Sequence, residues 1–286
     1  MAHIDEFESM FRSASRSPFR LAAPEIAKVL AVGDLEQADG YVAAVREFAE
    51  PMLAGAQLTL APHDVLGVEA MLRLVEDEAP DLIVTYRNLH SDGWRYKYSL
   101  GADLNALTRG TQVPVLVTPS PRAYPSMEWR STLSDHVMVL DESLAGDDLR
   151  EDDGLLNWAA LATREGGTLH LVHMEDDRVL ERYLRAIGKI AALNTDAARE
   201  TLPAQLLKEP RHYMKSVQAA FIEAGRSVTI REHVQLGHRV ADYRVLIERG
   251  AIDLVVMRAL EEDRIALGGA SYSLAVALVE TPLLMV

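Results

Sequence analysis

Two kinds of segment alternate along this chain. Short apolar runs end at a charged or small residue, and longer stretches carry apolar residues every three or four positions. The short runs are Lys28–Asp34, Gln57–Ala61, Asp81–Thr85, Pro114–Thr118, His136–Asp141, Thr168–Val172, Ser227–Val234, the run opening at Asp253, and Pro282–Val286. Continuous apolar runs of this length predict buried parallel strands. Ser227–Val234 alternates polar and apolar residues, which places it nearer a sheet edge. The longer stretches predict helices over Ala38–Leu53, Val65–Glu78, Gly101–Arg109, Leu155–Arg164, Pro210–Ala224 and Arg239–Arg249. A further helical stretch, Asp177–Leu207, is expected to break near Pro203. Gly55, Gly166, Gly225 and Gly250 stand where helices should stop. Strand and helix in alternation, joined by short loops, predict βαβ units and an α/β fold with a parallel sheet.

The pattern occurs twice. Asp81 opens Asp-Leu-Ile-Val, followed by a loop, Ser-Leu-Gly-Ala, a helical run and Val-Pro-Val-Leu-Val. Asp253 opens Asp-Leu-Val-Val, followed by a loop, Leu-Gly-Gly-Ala-Ser, a helical run and Thr-Pro-Leu-Leu-Met-Val. Asp34 and Asp141 each end the first strand of their half. From that acid to the next landmark acid the first half spans 47 residues and the second 112. From there to the proline of the last strand they span 33 and 29. The first half is therefore expected to have four strands and the second five. Pro119, Pro121 and Pro125 predict a stiff extended linker between them. The expected division is a leader over 1–25, a shortened first domain over 26–119, a Pro-rich linker over 120–134 and a second domain over 135–286. The leader, with Phe7, Met10, Phe11 and Phe19, is expected to pack on the body or on a partner.

Composition narrows the function. A formal charge of −14 opposes non-specific binding to nucleic acid or to an anionic membrane. No apolar run reaches the ~18 residues of a membrane span. With no cysteine there is neither a disulfide framework nor a thiolate nucleophile, and a reducing cytoplasm is the expected compartment. No P-loop, dinucleotide fingerprint, zinc motif or nucleophile elbow is present, so no enzyme is expected. His170 and His173 stand three apart on a strand and should face opposite sides, which opposes a shared metal.

In order and spacing these pieces resemble the universal stress protein family. They are Val-Met-Val-Leu-Asp-Glu-Ser, Thr-Leu-His-Leu-Val-His, Asp-Leu-Val-Val and Gly-Gly-Ala-Ser ahead of Thr-Pro-Leu-Leu-Met-Val, with Lys-Val-Leu-Ala-Val-Gly-Asp, Asp-Leu-Ile-Val and Val-Pro-Val-Leu-Val in the first half. The resemblance implies two tandem Rossmann-like domains of the adenine nucleotide α-hydrolase-like type with parallel five-stranded sheets, the first shortened to about four strands. It implies a stress-response regulator, with pairing of the two domains inside one chain, and leaves a homodimer and an unidentified protein as further partners. ATP or another adenine nucleotide is the ligand the resemblance allows, though no cofactor is required. An adenine-nucleotide sensor working through the second domain is the alternative, and a nucleotide-processing enzyme a more distant one.

Family members that bind ATP carry Gly-x2-Gly-x9-Gly-(Ser/Thr) after the fourth strand, where small residues and a helix N-terminus admit phosphates. In the second half the first two glycines are absent, and Glu261, Glu262 and Asp263 would repel a triphosphate. The implied set there is Asp141 and Val172 near the adenosine, with Arg258, Arg264, Gly268, Gly269 and Ser271 at the phosphates. A glycine turn leading into a helix capped by Ser271 is the simpler reading of the last three. In the first half an aromatic and basic cluster occupies the corresponding loop. Asp34, Tyr86, Arg87, Asn88, Trp94, Tyr96 and Gly101 are expected to form either an interface or a ligand pocket.

Overall fold

The computed structural model describes residues 18–36, 38–62, 67–95, 99–126, 135–140, 154–189, 195–259 and 270–286. The first half runs β1 (Lys28–Ala31), α1 (Asp39–Phe48), α2 (Glu50–Leu53), β2 (Gln57–Leu60), α3 (Val68–Glu78), β3 (Leu82–Tyr86), α4 (Ala102–Gly110) and β4 (Val115–Thr118). The second runs β5 (His136–Leu140), α5 (Gly154–Ala162), β6 (Thr168–Asp176), α6 (Asp177–Ile187), α7 (Thr195–Leu206), α8 (Lys208–Glu223), β7 (Thr229–Gly237), α9 (Arg239–Gly250), β8 (Leu254–Met257), α10 (Ala270–Ala277) and β9 (Leu283–Met285).

All these strands join one sheet, in the order β2-β1-β3-β4-β9-β8-β5-β6-β7. Every neighbouring pair is parallel except β4 and β9, which pair antiparallel through Val115↔Met285, Leu116↔Leu284 and Val117↔Leu283. The two runs of parallel strands therefore point in opposite directions, and the carboxyl ends of β1–β4 and of β5–β9 lie at opposite ends of the sheet. β4 and β9 are buried on both faces, which is why their sequences are unbroken apolar runs. β2 and β7 are the edges, and both mix exposed with half-buried residues.

The landmark acids have a structural reason. Asp253 precedes β8, and its carboxylate accepts the backbone N–H of His136, at 2.9 Å, where β5 begins. Asp81 precedes β3, and its carboxylate accepts the N–H groups of Ala27 and Lys28, both at 2.8 Å, where β1 begins. Those donors hold Asp81 below the usual carboxylate range. The helices leading to these acids end alike. α3 stops at Ala79 with φ 45 and α9 at Ala251 with φ 50, both in the left-handed region.

Register corrects one alignment made from the sequence. Val29 pairs with Leu82 and Val137 with Leu254, each one residue past a landmark acid. Counted from these pairs, Asp141 corresponds to Gly33, and Asp34 corresponds to Glu142. Tyr86 corresponds to Arg258.

Three boundaries differ from expectation. β6 and β7 continue past the expected ends and pair as far as Asp176↔Gly237. Pro203 lies inside α7; α8 follows at Lys208 after a single intervening residue, and α6 ends at Ile187. The stretch after β4 is a turn instead of an extended linker, with the N–H groups of Ala123 and Tyr124 both bonded to the Ser120 carbonyl at 3.0 Å. Ser120 and Pro121 are buried in it.

Residues 18–22 of the leader lie across the second half before the chain enters β1. Phe19 donates its N–H to Ser216 Oγ at 3.0 Å, and Ala22 donates its own to Asn157 Oδ1 at 2.8 Å. The Phe19 ring stacks on Phe221 and meets Tyr213 edge-on. Phe7, Met10 and Phe11 lie outside the described residues. α5 is apolar nearly all round because it is enclosed: it packs on β5 and β8 and also reaches α2. Among the described residues no helix is long and apolar enough to cross a membrane.

Candidate functional site

In an open parallel sheet, ligands bind beyond the carboxyl ends of the strands where the strand order reverses. β1 leads to β2 on one side while β3 lies on the other, so the first reversal falls between β1 and β3. The second falls between β5 and β8. Asp34 and Tyr86 flank the first of these points, and Asp141 and Arg258 stand at the second by sequence.

At the first point Tyr86 fills the crevice. It is fully buried, and its ring lies against Gly33, where an added Cβ would sit 3.2 Å from Tyr86 Cε1. A side chain at position 33 would have to displace the ring, so the glycine is what admits it. The Tyr86 hydroxyl accepts the Asp34 N–H at 2.8 Å and donates to the Asp34 carboxylate. Arg122, from the turn after β4, closes the other side with Nη2 2.8 Å from Asp34 Oδ2. Burial alone would raise the Asp34 pKa, but the Tyr86 and Arg122 hydrogen bonds outweigh it and hold the carboxylate below its usual range. Burial and the adjacent carboxylate push the Tyr86 phenol well up, so it remains a neutral donor. Tyr41 packs edge-on against Tyr86, at 5.3 Å between centroids, and shares a hydrogen bond with Thr118 at 3.2 Å. The cleft that remains beside this plug, about 580 Å³, is open and lined by Gly33, Leu35, Glu36, Asp39, Leu60 and Pro62. The charges of Glu36 and Asp39 in its lining oppose a phosphate.

The rest of the first-half cluster does not converge on this point. Arg87 is buried and donates to the Leu278 carbonyl at the end of α10, so it ties the first half to the second. Among the described residues its Nε and Nη1 have no hydrogen-bond partner, and burial lowers its pKa to about 10. Tyr124 Oη makes a second tie, donating to Glu280 at 3.1 Å. Asn88 and Gly101 shape the loop. Asn88 has φ 58 and donates its N–H to the Leu100 carbonyl at 2.8 Å. Gly101 has φ +101, and a Cβ there would come within 2.8 Å of Asn88 Cα, so only glycine fits. Trp94 sits in a short 3₁₀ turn, Asp92–Arg95, with the Arg95 guanidinium 5.3 Å from its ring centroid. Tyr96 lies outside the described residues.

In the second half Val172 is buried within β6, paired with Leu140 and His233, and Arg258 follows β8 half-buried. Asp141, Arg264, Gly268 and Gly269 lie outside the described residues, as does the side chain of Ser271.

No protein-family model and no curated protein matches the sequence. Among solved structures, the chain is similar to a functionally unknown protein from Pseudomonas aeruginosa PAO1, at 16% identity over 91% of this chain and 92% of that one, with a TM-score of 0.49. It is also similar to a universal stress protein from Archaeoglobus fulgidus DSM 4304, at 15% identity over 91% of this chain and 85% of that one, with a TM-score of 0.48.

Arg122, Tyr124 and Glu280 were not singled out from the sequence. The signal available for Arg122 was its place directly after Pro121, where a turn can aim it back at the sheet. His170 and His173 do face opposite sides. His173 Nε2 lies 3.6 Å from Glu175 Oε2, both residues being buried, while His170 bonds to His136 and His233 on the other face. Among the described residues no group of three or more metal-ligating side chains converges.

Proposed function

We propose that this chain is a tandem protein of universal-stress type that acts as a stress-response regulator by binding a partner, without catalysis, and that its first nucleotide site is closed. The repeated strand plan supports the tandem reading, with residues 26–119 and 135–286 as the two units. So do Asp81 and Asp253, which tie the starts of β1 and β5 in the same way. The antiparallel β4–β9 seam is how two copies of one domain would join inside a chain.

The observation that carries the reading is the Tyr86 plug at the first strand-order reversal. Its ring lies where an acid in line with Asp141 would stand, and Asp34 beside it is already bonded to Tyr86 and Arg122. Both oxygens of that carboxylate are thus already engaged, one by each partner. Any nucleotide therefore binds through the second half alone, where the acids at 261–263 keep the affinity low.

Equilibrium dialysis with labelled ATP tests this. The expected result is at most one equivalent per chain, bound weakly and diminished by Asp141→Ala. Two equivalents per chain would overturn the closed-site reading, and ATP turnover lost on Asp141→Ala would overturn the non-catalytic one.

A further inference from the structure

Three imidazoles form a ladder across the second half of the sheet. His136 of β5, His170 of β6 and His233 of β7 project from the same face of neighbouring strands. His136 Nδ1 lies 3.1 Å from His170 Nε2, and His170 Nδ1 lies 3.1 Å from His233 Nε2. The rings of His170 and His233 are parallel to within 3°, with centroids 5.3 Å apart. His170 is buried, whereas the rungs at either end are half-buried and reach solvent.

Proton counting gives this arrangement a definite property. A neutral imidazole has one N–H and one bare nitrogen. With all three rings neutral, both links form only if every ring donates in the same direction. One added proton is compatible with that pattern. If His136 donates inward, its outer Nε2 takes the proton and both links survive. Passing a proton along each link then moves the charge to His233, again with both links intact. A second proton is not compatible. With both ends charged, each directs an N–H at His170, which has only one bare nitrogen, and one link must open.

The surroundings favour the neutral form. Arg231, on the same face of β7, places a positive charge near both His170 and His233. On the β5 side, the Asp253 carboxylate is engaged by the His136 backbone N–H, and Asp135 is paired with Arg164. From α9, Gly250 comes close to the ring, a Cβ added there lying 3.8 Å from His170 Cε1, and the buried side chains are Tyr243 and Ile247. The charges of that helix whose side chains are described point elsewhere: Arg244 and Glu248 are exposed and 3.8 Å apart, Arg249 is exposed, and Asp242 accepts the His238 N–H. Among the described residues the carboxylates bordering the ladder, Asp135 and Asp253, line one pocket with His136, at the end of the ladder away from β7.

We propose that the His136–His170–His233 ladder is a proton-responsive latch, which holds one proton with both links closed and loosens the edge strand β7 when it takes a second. β7 is the strand such a latch would release, because it is an outer strand and His233 is its rung. The inference does not depend on the nucleotide reading, since the ladder takes no part in the Tyr86 plug and its test uses no nucleotide.

Amide hydrogen exchange on the full-length protein tests it, with rates corrected for intrinsic pH dependence. Between pH 7 and pH 4.5 the β7 amides should lose at least tenfold in protection while those of β1, β3 and β4 stay unchanged. In His233→Gln the pH-dependent part should fall below threefold. His170→Phe, which keeps a ring in the buried position, should abolish it as well; if that variant does not fold, His233→Gln alone decides. An equal pH dependence in wild type and His233→Gln, or opening of the whole sheet together, would overturn the latch.

Discussion

The bond between Tyr86 and Asp34 gives the account its most quantitative handle. Tyr86→Phe removes one oxygen that accepts the Asp34 N–H and donates to the Asp34 carboxylate. The ring stays, so no cavity opens and the apolar contact with Gly33 persists. A neutral hydrogen bond contributes about 1 kcal/mol and one to a charged group about 1.5–3, so the substitution should cost roughly 2–3 kcal/mol in this part-buried site. In an Asp34→Asn background the charged bond is already gone, and the same change should cost only about 1 kcal/mol. The expected coupling is therefore on the order of 1–2 kcal/mol. Urea unfolding of the four proteins at pH 7 measures it through the transition midpoints. The sign of the pH effect follows from the lowered Asp34 pKa. The coupling is fully present above the ordinary carboxylate value near 3.9 and is lost as pH falls through the lower folded-state value. Strict additivity of Tyr86→Phe and Asp34→Asn at pH 7 would refute the reasoning, because the hydroxyl would then be bonded elsewhere.

Other parts of the fold give further outcomes. Ala79→Gly and Ala251→Gly should each stabilise the protein by roughly 0.5–1 kcal/mol, and additively, since each relieves a left-handed alanine in a different half. Calorimetry of the single and double variants checks this. Phe19→Ala should cost about 3–4 kcal/mol, because the ring is buried against Phe221 and Tyr213. A cost near zero in denaturant unfolding would mean that the leader does not hold to the second half. His170 has its pKa lowered to about 4 by burial, aided by His233, His136 and Arg231. Its neutral form therefore contributes stability that is complete above pH 6.5 and is lost as pH falls toward 4, by up to about 3 kcal/mol. His170→Phe should flatten that part of the stability–pH curve.

How much of this the sequence made legible depended on whether burial or partner choice decided the feature. The strands read correctly as apolar runs because β1, β3, β4, β5 and β8 are enclosed on both faces. The continuation of β6 and β7 was hidden because His173, Glu175, Asp176 and Gln235 are polar, and there pairing between strands outweighs composition. Pro203 read as a break, yet α7 runs through it. The proline run after β4 read as extended because three prolines stiffen a chain. The turn at Ser120 carries the Arg122–Asp34 and Tyr124–Glu280 contacts, which no local pattern records. Aligning Asp34 with Asp141 was natural when each ended an apolar run. The strand register moved it by one residue, and in doing so it showed Gly33 as the position that makes room for Tyr86. The histidine ladder was likewise invisible, because its three members are far apart in sequence and are brought into line only by the order β5-β6-β7.

The central claim is that the first strand-order reversal is closed to nucleotides and the second is the one available. Photolabelling with 8-azido-ATP, followed by peptide mapping of the cross-links, tests it most directly because it reports which half is reached. The account predicts that any label competed by ATP lies in peptides from residues 135–286, and that peptides carrying Gly33–Asp39 or Tyr86 stay unlabelled. ATP-competed label on those first-half peptides would contradict it.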